Sequence, residues 1–180
     1  MVAYVIVPGL DGSDENHWQT RWERRWGAAA RRIRPGSWAD PELSDWLDAV
    51  DRAHAEASAQ ADRVVFVAHS LGCWAVAEWA RETRPTAVAS FLVAPPDPDA
   101  PGFPVPSFRE LAAHPVPGPA LVVASDDDPY CAADRSRDLA TGWGARLRLV
   151  EGHGHINSDS GLGYWPAGRE LLGTLETGPA

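Results

Sequence analysis

Val64-Val65-Phe66-Val67-Ala68-His69-Ser70-Leu71-Gly72-Cys73-Trp74-Ala75-Val76-Ala77 is the stretch that decides the fold. Its first half is a short apolar run rich in β-branched residues, as a strand buried on both faces requires. After Ser70 the chain is apolar on nearly every side and mixes small residues with Trp74, which predicts a deeply buried helix over roughly 71–82. His69-Ser70 must therefore turn sharply from strand to helix.

The same alternation continues in both directions. Tyr4-Val5-Ile6-Val7, the weaker Arg32-Ile33-Arg34, Val88 to Val93, Leu121-Val122-Val123-Ala124 and Leu147 to Val150 read as further strands. Helices are expected at roughly 17–29, 41–59, 130–141 and 165–176, with at most a short one in Phe108 to Ala113. Asp40-Pro41-Glu42-Leu43 reads as a helix start, Asp40 capping free N–H groups and Pro41 in the first helical position. Leu43, Trp46, Leu47, Val50 and Ala53 then form one apolar face. Strands alternating with helices predict an α/β fold of three layers, α/β/α, around a mostly parallel six-stranded sheet. The Pro-rich run Pro95 to Pro106 can continue neither helix nor central strand. It is expected to be a loop, and one that could wall a site at the sheet edge.

The chain has 180 residues, 44% of them hydrophobic and 23% charged, and this predicts one domain over 1–180. A formal charge of −9 argues against a phosphate backbone or an anionic membrane surface as partner, so no nucleic acid and no membrane are expected. No apolar run reaches the ~20 residues needed to cross a bilayer. The first residues lack the basic and long apolar regions of a secretory signal, so a cytoplasmic location is expected. Cys73 and Cys131 are read as buried free thiols. The nine Trp are expected to be mostly framework.

Ala68-His69-Ser70-Leu71-Gly72 has the strand-to-helix context of a nucleophile elbow, with Ala68 in place of the first glycine of G-x-S-x-G. A serine that only caps the following helix would give the same local pattern. Chain order adds independent support, because an acid and then a histidine follow at strand ends. Ser125-Asp126-Asp127-Asp128-Pro129 leaves one strand and Glu151-Gly152-His153-Gly154-His155 leaves the next. In a parallel sheet these loops share one edge. Spacing chooses neither among the three aspartates nor between the two histidines. Two backbone N–H groups are expected to stabilise an oxyanion: Leu71 at the helix start, and Leu10 in the turn after Pro8-Gly9. Trp18 and Phe103 are expected near the pocket rim.

Ile6-Val7-Pro8-Gly9, His17-Trp18-Gln19, His69-Ser70-Leu71-Gly72, Asp127-Asp128-Pro129, Gly154-His155-Ile156-Asn157, Ser160-Gly161 and Trp165-Pro166 resemble the signatures of the retinoblastoma-binding protein 9 and YdeN-like family of small serine hydrolases. The likeness extends over nearly the whole chain. It implies a minimal α/β-hydrolase fold with strand order 2-1-3-4-5-6 and a triad of Ser70, Asp128 and His155. It also implies acyl-serine hydrolysis; no cofactor and no metal are expected. A small carboxylic ester is the expected substrate, with a short peptide or amide as the alternative; protein partners are left open. A metal hydrolase built on Asp126, Asp127, Asp128, His153 and His155 would leave the Ser70 turn without a role. Gly9-Leu10-Asp11-Gly12 lacks the third glycine of a dinucleotide fingerprint. A flavodoxin-like binding module without catalysis remains compatible with the strand pattern.

Overall fold

The computed structural model describes residues 1–177. Six strands form one parallel sheet: β1 (Val2–Val7), β2 (Ala30–Arg32), β3 (Arg63–His69), β4 (Val88–Val93), β5 (Ala120–Ser125) and β6 (Arg146–Val150). Their order is β2-β1-β3-β4-β5-β6, as the resemblance implied. The helices are α1 (Trp18–Trp26), α2 (Leu43–Ser58), α3 (Leu71–Thr83), α4 (Ala133–Trp143) and α5 (Pro166–Glu176).

The two-residue period of a strand sends alternate side chains to opposite faces. Along β3, Val64, Phe66 and Ala68 enter the core shared with α2, α3 and α4, while Val65 and Val67 enter the one shared with α1 and α5. β1 divides in the same way, with Ala3, Val5 and Val7 on the first face and Tyr4 and Ile6 on the second. The central strands are therefore continuous apolar runs because both faces are covered. Tryptophans fill both layers: Trp46, Trp74, Trp79 and Trp143 on one side, Trp18, Trp22 and Trp165 on the other. Cys73 and Cys131 are free and buried. Among the described residues no helix is long and apolar enough to cross a membrane.

Several boundaries differ from the sequence reading. α2 begins at Leu43 with an extended Glu42 as its N-cap, so Asp40 and Pro41 lie outside the helix. The reason is tertiary: Ser107 Oγ accepts the Leu43 N–H at 3.1 Å and donates to the Pro41 carbonyl at 3.1 Å, doing the work of a local cap from a distant loop. β2 pairs through Ala30–Arg32 rather than 32–34. Residues 130–132 lie before α4, with an extended Ala132 as its N-cap, and the stretch from Pro106 to Ala113 holds only a 3₁₀ turn at Pro106–Phe108.

Candidate active site

Ser70 sits between β3 and α3 with φ 55° and ψ −126°, a region that non-glycine residues avoid. Neighbouring bonds hold it there. Its N–H donates to the Val93 carbonyl at 2.9 Å, and its carbonyl accepts from Cys73 N–H at 3.0 Å. Gly72 is required because a Cβ there would run into the Val7 and Pro8 carbonyl oxygens. At Gly9 a Cβ would stand 2.7 Å from Ser70 Cβ. The loop after β1 thus passes directly against the nucleophile turn. Ala68, which stands where the common motif has glycine, is wholly buried.

His155 Nε2 lies 2.8 Å from Ser70 Oγ, and His155 Nδ1 lies 2.9 and 3.1 Å from the two carboxylate oxygens of Asp128. An ionised carboxylate can only accept, so Nδ1 carries the proton and Nε2 is free to accept from the serine hydroxyl. This is the arrangement of a Ser-His-Asp triad. Both His155 and Asp128 are largely shielded from water.

The loop carrying His155 is pinned at successive backbone positions. Asp126 Oδ1 accepts Gly152 N–H at 2.9 Å, Ser125 Oγ accepts His153 N–H at 2.9 Å, and Asp127 Oδ1 accepts Gly154 N–H at 2.8 Å. Ser125 Oγ in turn donates to Asp127, and this bond with the Gly154 amide holds the Asp127 carboxyl below the usual range. From the opposite side, His69 Nε2 donates to the His155 carbonyl at 2.9 Å and Trp18 Nε1 to the Ile156 carbonyl at 2.8 Å. The carboxylates of Asp126 and Asp127 are thus occupied by amides. His153 is turned away, its Nδ1 2.6 Å from the Glu151 carbonyl.

A cleft of about 600 Å³ opens over Ser70. Gly9, Leu10 and Leu71 line it beside the serine, and Phe103 stands in its wall. The Pro-rich loop walls the cleft from Pro96 and Asp97 through Ala100 to Val105. It is tied down by Arg135, which pairs with Asp97 at 3.0 Å and Asp99 at 2.7 Å, and by Arg109, which donates to the Phe103 carbonyl at 2.7 Å.

Trp18 corrects the sequence reading: it is only 1% exposed and lies behind the site, packed on Trp22, Trp165 and Phe91. Its indole contributes through the Ile156 bond instead of touching the cleft. His17 both caps α1, with Nδ1 accepting from Gln19 N–H at 3.2 Å, and lines the cleft. Burial lowers its pKa to about 4, and burial likewise pushes that of His69 well down. The roles of His69 and Tyr130 were not foreseen. His69 adjoins the nucleophile, which was the available signal; Tyr130 follows Asp128-Pro129 into the cleft wall.

The family model for serine hydrolases matches residues 4–174. No curated protein sequence matches the chain. Among solved structures, the chain is similar to a protein of Pectobacterium atrosepticum described as a YdeN-like hydrolase, with 32% identity over 97% of this chain and 90% of that one and a TM-score of 0.83. It is also similar to the ydeN gene product of B. subtilis, at 24% identity over 98% and 99% of the two chains, TM-score 0.78. Est1E of Butyrivibrio proteoclasticus, solved with ferulic acid bound, shares 17% identity over 99% and 90%, TM-score 0.73. The last two are likenesses of fold.

Proposed function

This chain belongs to the serine hydrolase family, among its YdeN-like and retinoblastoma-binding protein 9-like members, and from that premise we propose that it hydrolyses small carboxylic esters through an acyl enzyme on Ser70. The observation that carries this reading is the unbroken hydrogen-bond chain Ser70 Oγ, His155, Asp128, mounted on a strained turn at the floor of an open cleft.

His155 Nε2 takes the hydroxyl proton as Ser70 Oγ attacks the ester carbonyl carbon. Asp128 holds the ring in the correct tautomer and stabilises the imidazolium that forms. The negative charge on the carbonyl oxygen is met by the N–H groups of Leu71 and Leu10. Collapse of the tetrahedral intermediate expels the alcohol, which receives its proton from His155 Nε2. Water, deprotonated by the same nitrogen, then attacks the acyl carbon, and the acyl–Oγ bond breaks as His155 Nε2 returns that proton to Ser70 Oγ, releasing the carboxylic acid.

The lining of the cleft narrows the substrate. Asp11, Asp14 and Asp159 line it together with Asp97, whose charge is offset by Arg135, and no Lys or Arg lines it among the described residues. Such a field disfavours strongly anionic acyl groups. The wall around Phe103 suits an acyl group of modest size.

Wild type and Ser70→Ala should be compared on p-nitrophenyl esters of increasing acyl length, with thermal melting to check folding. Turnover should be greatest on short acyl groups and fall by ~10³-fold or more in the variant. A folded Ser70→Ala protein with wild-type turnover would overturn the reading.

A further inference from the structure

The leaving group of the proposed reaction departs beside an aromatic ring that is largely exposed. Tyr130 is 58% exposed, stands in the cleft wall, and presents its ring to His155 with centroids 4.6 Å apart at 72°. Its backbone is fixed at both ends. The N–H donates to Asp128 Oδ1 at 2.9 Å, and the carbonyl accepts from Asp97 N–H at 3.0 Å. One bond ties the residue to the acid of the triad and the other to the Pro-rich loop. The ring itself is left open to the cleft, whereas Phe103 is almost wholly buried in the wall.

Chemistry fixes where the departing oxygen must be. To receive the proton it has to lie within about 3 Å of His155 Nε2. A substituent on that oxygen therefore sits next to the imidazole, within reach of a ring whose centre is 4.6 Å from the imidazole centre. Methyl or ethyl is too small to cover much of the Tyr130 ring, while a flat aromatic group can lie against it in an offset or edge-on contact.

We infer that Tyr130 is the leaving-group platform of this site, selecting esters of aromatic alcohols over those of small alkyl alcohols. The inference rests on the ester-hydrolase reading and assigns the alcohol side of its substrate. The bond that forms and breaks is unchanged: Ser70 Oγ acquires the acyl group, and the aromatic alcohol leaves with the proton from His155.

The test uses benzyl acetate and ethyl acetate, whose leaving alkoxides are similarly basic, so a difference in rate reports contact rather than leaving-group chemistry. In the wild type the benzyl ester should have the higher kcat/KM. Tyr130→Ala should lower the benzyl-to-ethyl ratio roughly tenfold, the scale of one aromatic pair with its buried area, and Tyr130→Phe should keep the wild-type ratio. If Tyr130 only shields the Asp128–His155 pair from water, the alanine variant would slow both esters equally and leave the ratio unchanged. That result overturns the inference, as does a wild type that cleaves both esters through Ser70 without benzyl preference. In either case the ester reading stands; a wild type that cleaves neither ester defeats the inference, and defeats the ester reading as well if p-nitrophenyl esters are also left intact.

Discussion

Replacing His69 with Phe would remove one hydrogen bond directly behind the catalytic base. His69 is 5% exposed at the end of β3, and its Nε2 donates to the carbonyl of His155 at 2.9 Å. The acceptor is a carbonyl, so that nitrogen must carry a proton, and burial keeps the ring neutral. Phenylalanine approximates the shape of the ring and deletes the donor. The His155 carbonyl then loses its partner beneath the site, at a cost of ~1–3 kcal/mol. In a chain of this size each kcal/mol lowers Tm by about 2–4 °C, so a fall between ~2 and ~12 °C is expected. The larger effect is on rate. A displacement of the base by ~1 Å costs on the order of 10²-fold, and kcat should fall by ~10–100-fold at a pH where His155 is neutral. Thermal melting and ester turnover on the same preparation measure both, and His69→Gln, which retains an N–H donor, should recover part of each. A Phe variant that loses stability but keeps full turnover would show that the remaining pins on the loop suffice, and would refute a positioning role for His69.

Asp128→Asn should lower kcat by ~10⁴-fold, as expected when the imidazole tautomer is lost, while leaving the melting temperature near wild type. Asp127→Asn should act mainly on stability, because its carboxylate accepts from Ser125 and the Gly154 amide rather than from His155; a dominant loss of turnover there would move the acid by one residue. His17 should make folding sensitive to acid. Unfolded, it takes a proton near pH ~6.5, but folded only at about pH 4, so between those values the unfolded state binds more protons and stability falls as pH drops. The slope from this group is ~1.4 kcal/mol per pH unit, and urea unfolding of His17→Gln should show it removed. Parallel stability curves for the variant and the wild type across that range would contradict the burial argument.

The sequence reading succeeded where one local rule governs the outcome. β4 begins and ends at the expected residues, a short run rich in β-branched and aromatic side chains that is covered on both faces, and α3 follows from the apolar surround of Gly72 and Trp74. Ser70, with its order relative to the acid and base loops, was legible for the same reason. Asp128 was not separable from Asp126 and Asp127 by spacing, since all three carboxylates have partners in the same pair of loops; only the family resemblance chose it. The start of α2 was misread because its first free N–H is satisfied by Ser107, far along the chain. Trp18 was misplaced because α1 turns its indole to the α1/α5 layer, a packing choice that an isolated His17-Trp18 does not reveal. Tyr130 illustrates the remaining gap: an aromatic residue following Asp128-Pro129 gives no sign, before folding, that its ring will stand beside the base.

The central claim is that Ser70 is activated by His155, and covalent labelling tests it most directly. Intact-protein mass spectrometry of the wild type treated with a fluorophosphonate probe at neutral pH, followed by peptide mapping, should show one adduct, on Ser70. Labelling should be greatly slowed in His155→Ala and largely kept in His153→Ala, whose ring is turned to the Glu151 carbonyl. A folded wild-type protein left unlabelled by probes of several sizes over long exposure, or labelled at another residue, would contradict the account.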